Sequence, residues 1–372
     1  MPSNITQVPN VDFLSLNFAN IDFESGGSAL QYSGPRNAVI KVVAATAAQG
    51  TILPISPPSP NSSWILEFTG PSIDCTALQG SALENIKENI QTVIAINNCE
   101  IDFGYIGWTP SYNGRNPELL TIPFVLSENN ASYTFQDAYL GPLPTELSDL
   151  RGPIPATFYA ATFPNMTDNG VALDLSCFDN TNPLPNASVV QCVLYNTSYQ
   201  ASFSFINGEQ TVDITKAETP YNIVIPYSTL EWDGNNAIFS NYLPNGTIIP
   251  NSWNSTIVQT LSYQAVMESL GQVLVGLVYN SWPTGAIVYN STSVMSTVLS
   301  ESEQLAWLDS YPFPGDVTGP ATFKQLSDQN PGRYWNGIDT MGSTQSTMPF
   351  KGLLESLFQN IVIGLMSSKL LQ

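Results

Sequence analysis

The chain has 372 residues, 43% of them apolar, which suffices for a sizeable core and argues against global disorder. Only 11% are charged, with 30 acidic against 10 basic side chains and a net charge of −20, so a phosphate backbone or an anionic lipid surface would be repelled and nucleic-acid binding is excluded. There is no histidine, which removes Ser-His-Asp and Cys-His catalysis, imidazole metal ligands and imidazole proton shuttles together.

The predicted elements run as follows. Asn37 to Ile55 is rich in Val, Ile, Ala and Thr around a Gln49-Gly50 break and suggests two strands. Trp64 to Phe68 is another. Leu83, Ile86, Ile90 and Val93 recur at helical spacing and interrupt the strands with one helix. Phe124 to Leu126, Tyr133 to Phe135 and Ala156 to Phe163 read as strands. Tyr199 to Ile214 alternates apolar and polar residues around Asn207-Gly208, a hairpin signature, and Ile223 to Ile225 follows it. The character changes near Pro250. Thr256-Ile257-Val258-Gln259 has capping-box form and opens a long helical stretch over 257–278. A second helix is expected over Ser293 to Leu308. The last helix, over Phe350 to Ser367, carries Leu353, Leu354, Leu357, Phe358, Ile361, Val362 and Leu365 as one broad apolar stripe. A stripe of that width needs a cover. Its polar face lacks the Lys and Arg of a membrane-surface helix, so it is expected to pack on the domain, on the 257–278 helix.

The expected fold is therefore α+β. Residues 1–250 form a β-rich, sandwich-like extracytoplasmic domain with one helix, and residues 251–372 a mainly helical region packed on it.

Cys75, Cys99, Cys177 and Cys192 form no C-x-x-C. An even count in two near pairs fits two local disulfides, Cys75 with Cys99 and Cys177 with Cys192; buried free thiols are the alternative. N-x-[ST] sequons stand at Asn4, Asn61, Asn130, Asn165, Asn186, Asn196, Asn245, Asn254 and Asn290, several in turn-like contexts. Disulfides and glycans both require the secretory pathway. Met1-Pro2-Ser3-Asn4 does not open a signal peptide, so either Met1 is not a native residue or the true start lies upstream. No window holds the apolar run of a membrane span.

Gly34-Pro35, Thr46-Ala47, Gly50-Thr51-Ile52-Leu53, Asn61-Ser62-Ser63-Trp64, Phe68-Thr69-Gly70-Pro71 with Cys75, and the end from Leu357-Phe358-Gln359-Asn360-Ile361 to Leu365-Met366-Ser367-Ser368 form an ordered series. The series resembles the large external domain of a family of multi-pass membrane proteins in filamentous ascomycete fungi. The resemblance implies an address and a topology, with transmembrane helices before and after the domain. It brings no catalytic residue. The family pattern often has a sequon at the Asn-Ile position; here Val362 follows, so Asn360 should stay bare.

Without histidine, paired carboxylates are the remaining catalytic chemistry. Glu231-Trp232-Asp233 and Glu100-Ile101-Asp102 would each put two carboxylates on one face of a strand, although a turn at Asp233-Gly234 and a disulfide beside Glu100 account for them better. Asp339-Thr340-Met341-Gly342 is a single imperfect copy of an aspartic-protease turn. Asp168-Asn169-Gly170 and Asp179-Asn180-Thr181-Asn182 complete no calcium loop. Neither a phosphate loop nor a dinucleotide fingerprint occurs, so no cofactor is expected. Trp108 near Tyr105 and Tyr112, and Trp335 beside Tyr334, are candidates for stacking on sugars, although core or hinge packing is the commoner role of such aromatics.

These features fit an external glycosylated domain on the extracellular side of the plasma membrane, or secreted. It would serve as a cell-surface or cell-wall interaction module, with a cell-wall glycan or another surface protein as partner and with membrane attachment through flanking segments. The rival reading is a secreted acid-active hydrolase using paired carboxylates; a structural spacer is the third.

Overall fold

The computed structural model describes residues 18–23, 30–57, 59–97, 101–110, 121–126, 132–136, 156–163, 187–216, 222–223, 231–233, 236–238, 241–242, 248–249, 255–281, 286–306, 308 and 348–367. Their order is β1 (Ala19–Phe23), β2 (Leu30–Pro35), α1 (Asn37–Gln49), β3 (Ser62–Ala77), α2 (Gly80–Ile96), β4 (Ile101–Trp108), β5 (Phe124–Leu126), β6 (Tyr133–Phe135), β7 (Thr157–Thr162), β8 (Ser188–Ile206), β9 (Glu209–Lys216) and β10 (Asn222–Ile223). Then come β11 (Glu231–Asp233), β12 (Asn236–Ile238), β13 (Asn241–Tyr242), β14 (Ile248–Ile249), α3 (Ser255–Leu274), β15 (Gly276–Ser281), β16 (Ala286–Asn290) and α4 (Phe350–Ser367).

The fold is α+β. Eight strands form one antiparallel sheet in the order β10-β8-β7-β4-β15-β16, with β3 and β9 also paired to β8. The 19-residue β8 is its spine. Its first half lies between β3 and β7, and its last half between β3 and β9.

Around β7 and β4 both faces of the sheet are covered. On β7, Phe158 and Ala160 join one buried cluster, while Tyr159 and Ala161 join a second. The first cluster packs beneath α1, α3 and α4; the second packs beneath α2 and Phe124 of β5. This explains why all six residues of β7 are buried and why Phe158 to Ala161 run without a charged or strongly polar side chain. Helices, not a second large sheet, face the main sheet among the described residues, which replaces the sandwich-like expectation. The segment after residue 250 contributes α3 and α4 to the first cluster and the β15–β16 hairpin to the sheet, where β15 pairs with β4.

Two strands expected over Asn37 to Ile55 are instead the helix α1. The β-branched residues argue for strand, but Val39, Val42, Val43, Thr46 and Ala47 recur at helical spacing and are the buried ones. The apolar stripe decides over propensity because tertiary burial supplies most of a helix's stability. Gly50 ends the helix with φ 70°, its N–H bonded to Thr46 O, a left-handed cap that a residue without Cβ adopts freely. Among the described residues the N-terminal two-thirds thus holds two helices, α1 and α2, rather than one.

Other expectations meet the structure directly. The 83–93 periodicity is α2, with Ile86, Ile90, Val93 and Ile94 buried. Asn207 (φ 55°) and Gly208 (φ 86°) form the tight turn joining β8 to β9. Ser293 to Leu308 does not form one helix. It makes two short 3₁₀ turns, Val294–Ser296 and Val298–Glu301, in which Thr297 accepts a hydrogen bond from the N–H of Leu299. The helix over 257–278 stops at Leu274 and turns into β15. The Gln259 amide donates to Tyr263 Oη at 2.9 Å.

The apolar stripe of α4 is buried as expected, with Leu357 1% exposed and Ile361 fully covered. Its principal neighbours are β3 and α1 rather than α3. No helix among the described residues is long and apolar enough to cross a membrane.

The cysteine pairing departs from the local scheme. Cys75 on β3 stands directly opposite Cys192 on β8, and the two form a disulfide. The short-loop argument fails here because the sheet, not the loop length, sets the approach of the sulfurs. Cys99 and Cys177 lie outside the described residues.

Candidate functional site

The most elaborate polar arrangement lies where α3 crosses the β3–β8 ribbon. Over that stretch the ribbon exchanges the edge it turns to the core. Leu66 and Phe68 are buried on β3, and so are Ile73 and Cys75, a step from even to odd numbering with unbroken register. At the exchange Gly70, Pro71, Ser72 and Ile73 are all buried, opposite Thr197, Asn196, Tyr195 and Leu194. Backbone and side-chain polar groups enclosed there need partners.

They find them in two short chains of hydrogen bonds. Gln259 Nε2 donates to Tyr263 Oη at 2.9 Å, and Tyr263 Oη donates to Asn196 Oδ1 at 2.7 Å. Tyr199 Oη donates to Pro71 O at 2.8 Å. Lys216 Nζ donates to Ser72 Oγ at 3.2 Å and stands 5.7 Å over the Tyr195 ring. The ring of Tyr199 stacks on Phe68 at 5.2 Å.

The electrostatics are those of a structural seam. Burial pushes the Tyr199 phenol far above the ordinary tyrosine value, a hydrogen bond with Ser72 pulls it slightly back, and neighbouring Tyr195 and Tyr263 raise it further. A phenol held so firmly neutral donates a hydrogen bond and supplies neither base nor nucleophile at physiological pH. The arrangement ties α3 to the sheet. Sequence reasoning missed it, reading Asn196 only as a sequon; the signal available was the i, i+4 spacing of Gln259 and Tyr263 on α3.

The carboxylates singled out in the sequence fall on β11, on β4 and outside the described residues. Glu231 and Asp233 lie on β11, a short ribbon with β12, and of their side chains nothing is described. Asp102 lies on β4 opposite Asn280 of β15. Glu100, Asp168, Asp179 and Asp339 lie outside the described residues. Among the described residues, no group of three or more Cys, Asp or Glu side chains could hold a metal ion.

The sugar-stacking candidates fare differently. Trp108 and Tyr105 are not loop aromatics. Both are fully buried on β4: Trp108 stacks on Tyr159 at 5.3 Å and donates to Thr121 O, while Tyr105 donates to Leu274 O. Neither can meet a ligand. Continuous apolar sequence around them, Phe103 to Trp108, belongs to a strand covered on both faces. Tyr112, Tyr334 and Trp335 lie outside the described residues.

Of the sequons, Asn61, Asn196 and Asn290 are described. Asn4, Asn130, Asn165, Asn186, Asn245 and Asn254 lie outside. Asn360, which has no sequon, donates its amide to Gly50 O at 2.9 Å and so ties α4 to the end of α1.

One surface remains open. Past the core, β3, β8 and β9 continue as a three-stranded ribbon. Its inner face is covered by Ile52, Leu53 and Ile55, whose segment is pinned where the Ile55 N–H donates to Gln210. Its outer face presents cross-strand rows: Ser63, Ser204 and Thr211; Ile65, Ser202 and Asp213; Glu67, Gln200 and Thr215. Most of these side chains are exposed, and they are hydroxyls, amides and carboxylates with Ile65 the sole large apolar one.

The chain matches no family model, no curated protein and no solved structure.

Proposed function

We propose that this chain is an external, N-glycosylated domain of a fungal membrane protein, placed on the extracellular side of the plasma membrane and working as an interaction module at the cell surface or wall. The observation that carries the reading is the Cys75–Cys192 disulfide, which bridges β3 and β8 with both residues fully buried. Structural disulfides of this kind persist in oxidising compartments and are rare in the cytosol. The exposed sequons Asn61 and Asn290, and a surface poor in charge but rich in Asn, Ser and Thr, agree with a glycosylated exterior.

The outer face of the β3–β8–β9 ribbon supports the module reading. Rows of hydroxyl and amide groups on one sheet face match the repeating hydroxyls of a cell-wall polysaccharide, through hydrogen bonds rather than ring stacking. The test has two arms. Expressed behind a cleavable signal peptide in a yeast secretory host, the chain should migrate faster after N-glycosidase treatment; unchanged mobility refutes the address. The secreted protein should then sediment with insoluble β-glucan or chitin, and Ser202→Arg with Ser204→Arg should abolish that. Binding unchanged by the two substitutions removes this face from the account.

A further inference from the structure

The motif treats Asn61-Ser62-Ser63, Asn196-Thr197-Ser198 and Asn290-Ser291-Thr292 alike, but the fold does not. In N-glycosylation the carboxamide nitrogen attacks C1 of a sugar carried on a lipid diphosphate. The Nδ2–C1 bond forms, the C1–O bond to phosphate breaks, the lipid diphosphate leaves, and Nδ2 gives up one proton. The product keeps Oδ1 as an acceptor and one N–H. A glycosylated Asn can therefore hold a bond through its oxygen, but its nitrogen must face open solvent in the mature protein.

Asn61 meets this condition. It is exposed at the start of β3, and its Oδ1 accepts from the Asn207 N–H at 3.0 Å. The oxygen faces the hairpin turn, which directs the nitrogen away from it. Ile206, 66% exposed, stands beside that turn where a first sugar would cover it. Asn290 also meets it. It is exposed at the end of the edge strand β16, and its Oδ1 accepts from the neighbouring Ser291 hydroxyl at 3.1 Å.

Asn196 does not. It is half-buried in the middle of β8, paired to Pro71 on one side and Asn222 on the other. Its Oδ1 accepts from Tyr263 Oη, and Tyr263 is 2% exposed beneath α3. The oxygen is thereby held against the helix, and on a half-buried residue paired on both sides a sugar on the adjoining nitrogen would crowd α3.

We propose that the mature protein carries N-glycan at Asn61 and Asn290 and none at Asn196, whose carboxamide serves the fold instead as the acceptor for Tyr263. This rests on the extracytoplasmic reading above. The experiment is peptide mapping of the secreted 372-residue chain after endoglycosidase H, which leaves a single GlcNAc on each occupied Asn. The remnant should appear at Asn61 and Asn290, with the Asn196 peptide bare. A remnant at Asn196, or remnants elsewhere with Asn61 and Asn290 bare, overturns this inference and leaves the compartment reading standing. A map bare at every sequon overturns both. A second measurement is independent of sugar. On the deglycosylated protein, Asn196→Ala should lower Tm by about 2–4 °C, and Tyr263→Phe should lower it by a similar shift. An unchanged Tm in Asn196→Ala overturns the acceptor role.

Discussion

The Glu355 carboxylate accepts a 2.9 Å hydrogen bond from the backbone N–H of Cys75, 280 positions earlier in the chain. On the side of β3 away from β8, this residue would otherwise leave a buried donor without a strand partner. Helix α4 thus does more than cover β3 with its apolar stripe; it supplies a side chain that continues the sheet's hydrogen bonding. Lys351, one turn earlier, lies 4.0 Å from the same carboxylate.

Glu355→Ala should therefore destabilise by about 1–3 kcal/mol, the cost of stranding a buried donor. Glu355→Gln keeps an acceptor oxygen and should retain most of that stability. Chemical denaturation of the two variants separates the cases. Equal losses would mean that charge, not hydrogen bonding, matters at this position.

Peptide mapping under non-reducing conditions should find Cys75 linked to Cys192. The bond closes a loop of 117 positions. Replacing both cysteines by Ala should cost on the order of 4–5 kcal/mol in the chain-entropy view. Linkage of Cys75 to Cys99 would contradict the pairing of β3 with β8 at this point.

What was legible in the sequence followed its periodicity. The α2 stripe, the Asn207-Gly208 hairpin and the α4 stripe are local patterns that local physics reads, and each stands where the pattern put it. The 37–49 segment carried the same kind of signal, but its β-branched composition masked the Val39, Val42, Val43, Thr46 and Ala47 spacing. The disulfide was illegible for another reason: which cysteine opposes Cys75 depends on the antiparallel register of two long strands 117 positions apart. Burial of Trp108 and the turn of Asn196 toward Tyr263 are likewise products of packing from distant elements, and no local pattern encodes them.

Leu357→Ala should cost about 2–5 kcal/mol, because the side chain is 1% exposed in the main core, where deletion leaves a cavity. Denaturant unfolding should show a lower midpoint with an unchanged slope. A loss below about 0.5 kcal/mol would fit a surface position and not this one.

Gly50→Ala should destabilise for two reasons that act together. The left-handed φ of 70° costs a residue with Cβ about 1–2 kcal/mol. The added methyl would also meet Val298 Cγ2 at 2.8 Å, so the second 3₁₀ turn must shift. Adding Val298→Ala should recover the packing part of the loss and leave the conformational part. Recovery of the whole loss would show that φ carries no strain.

Alkaline pH should unfold the protein through its buried tyrosines. Burial pushes the Tyr159 phenol up to about 12, and it holds Tyr105 and Tyr199 higher still. In the unfolded chain the same groups ionise near 10. Below about pH 10 both states keep the protons, so the stability these groups contribute is fully present there. As the pH rises from about 10 to about 12, the unfolded chain releases protons that the folded state retains. Each such tyrosine then removes about 1.4 kcal/mol per pH unit. Of the sixteen tyrosines in the chain, these three should be missing from the first phase of a spectrophotometric titration and should appear only with unfolding. Tyr159→Phe keeps the ring stacked on Trp108, loses the bond that Gln191 Nε2 donates to the hydroxyl, and removes one ionisation. Its stability at neutral pH should fall by about 0.5–1.5 kcal/mol, while its alkaline decline should be shallower by one proton's slope. A native protein in which all tyrosines titrate together near 10 with its far-ultraviolet circular dichroism intact would be incompatible with phenols buried on both faces of the sheet.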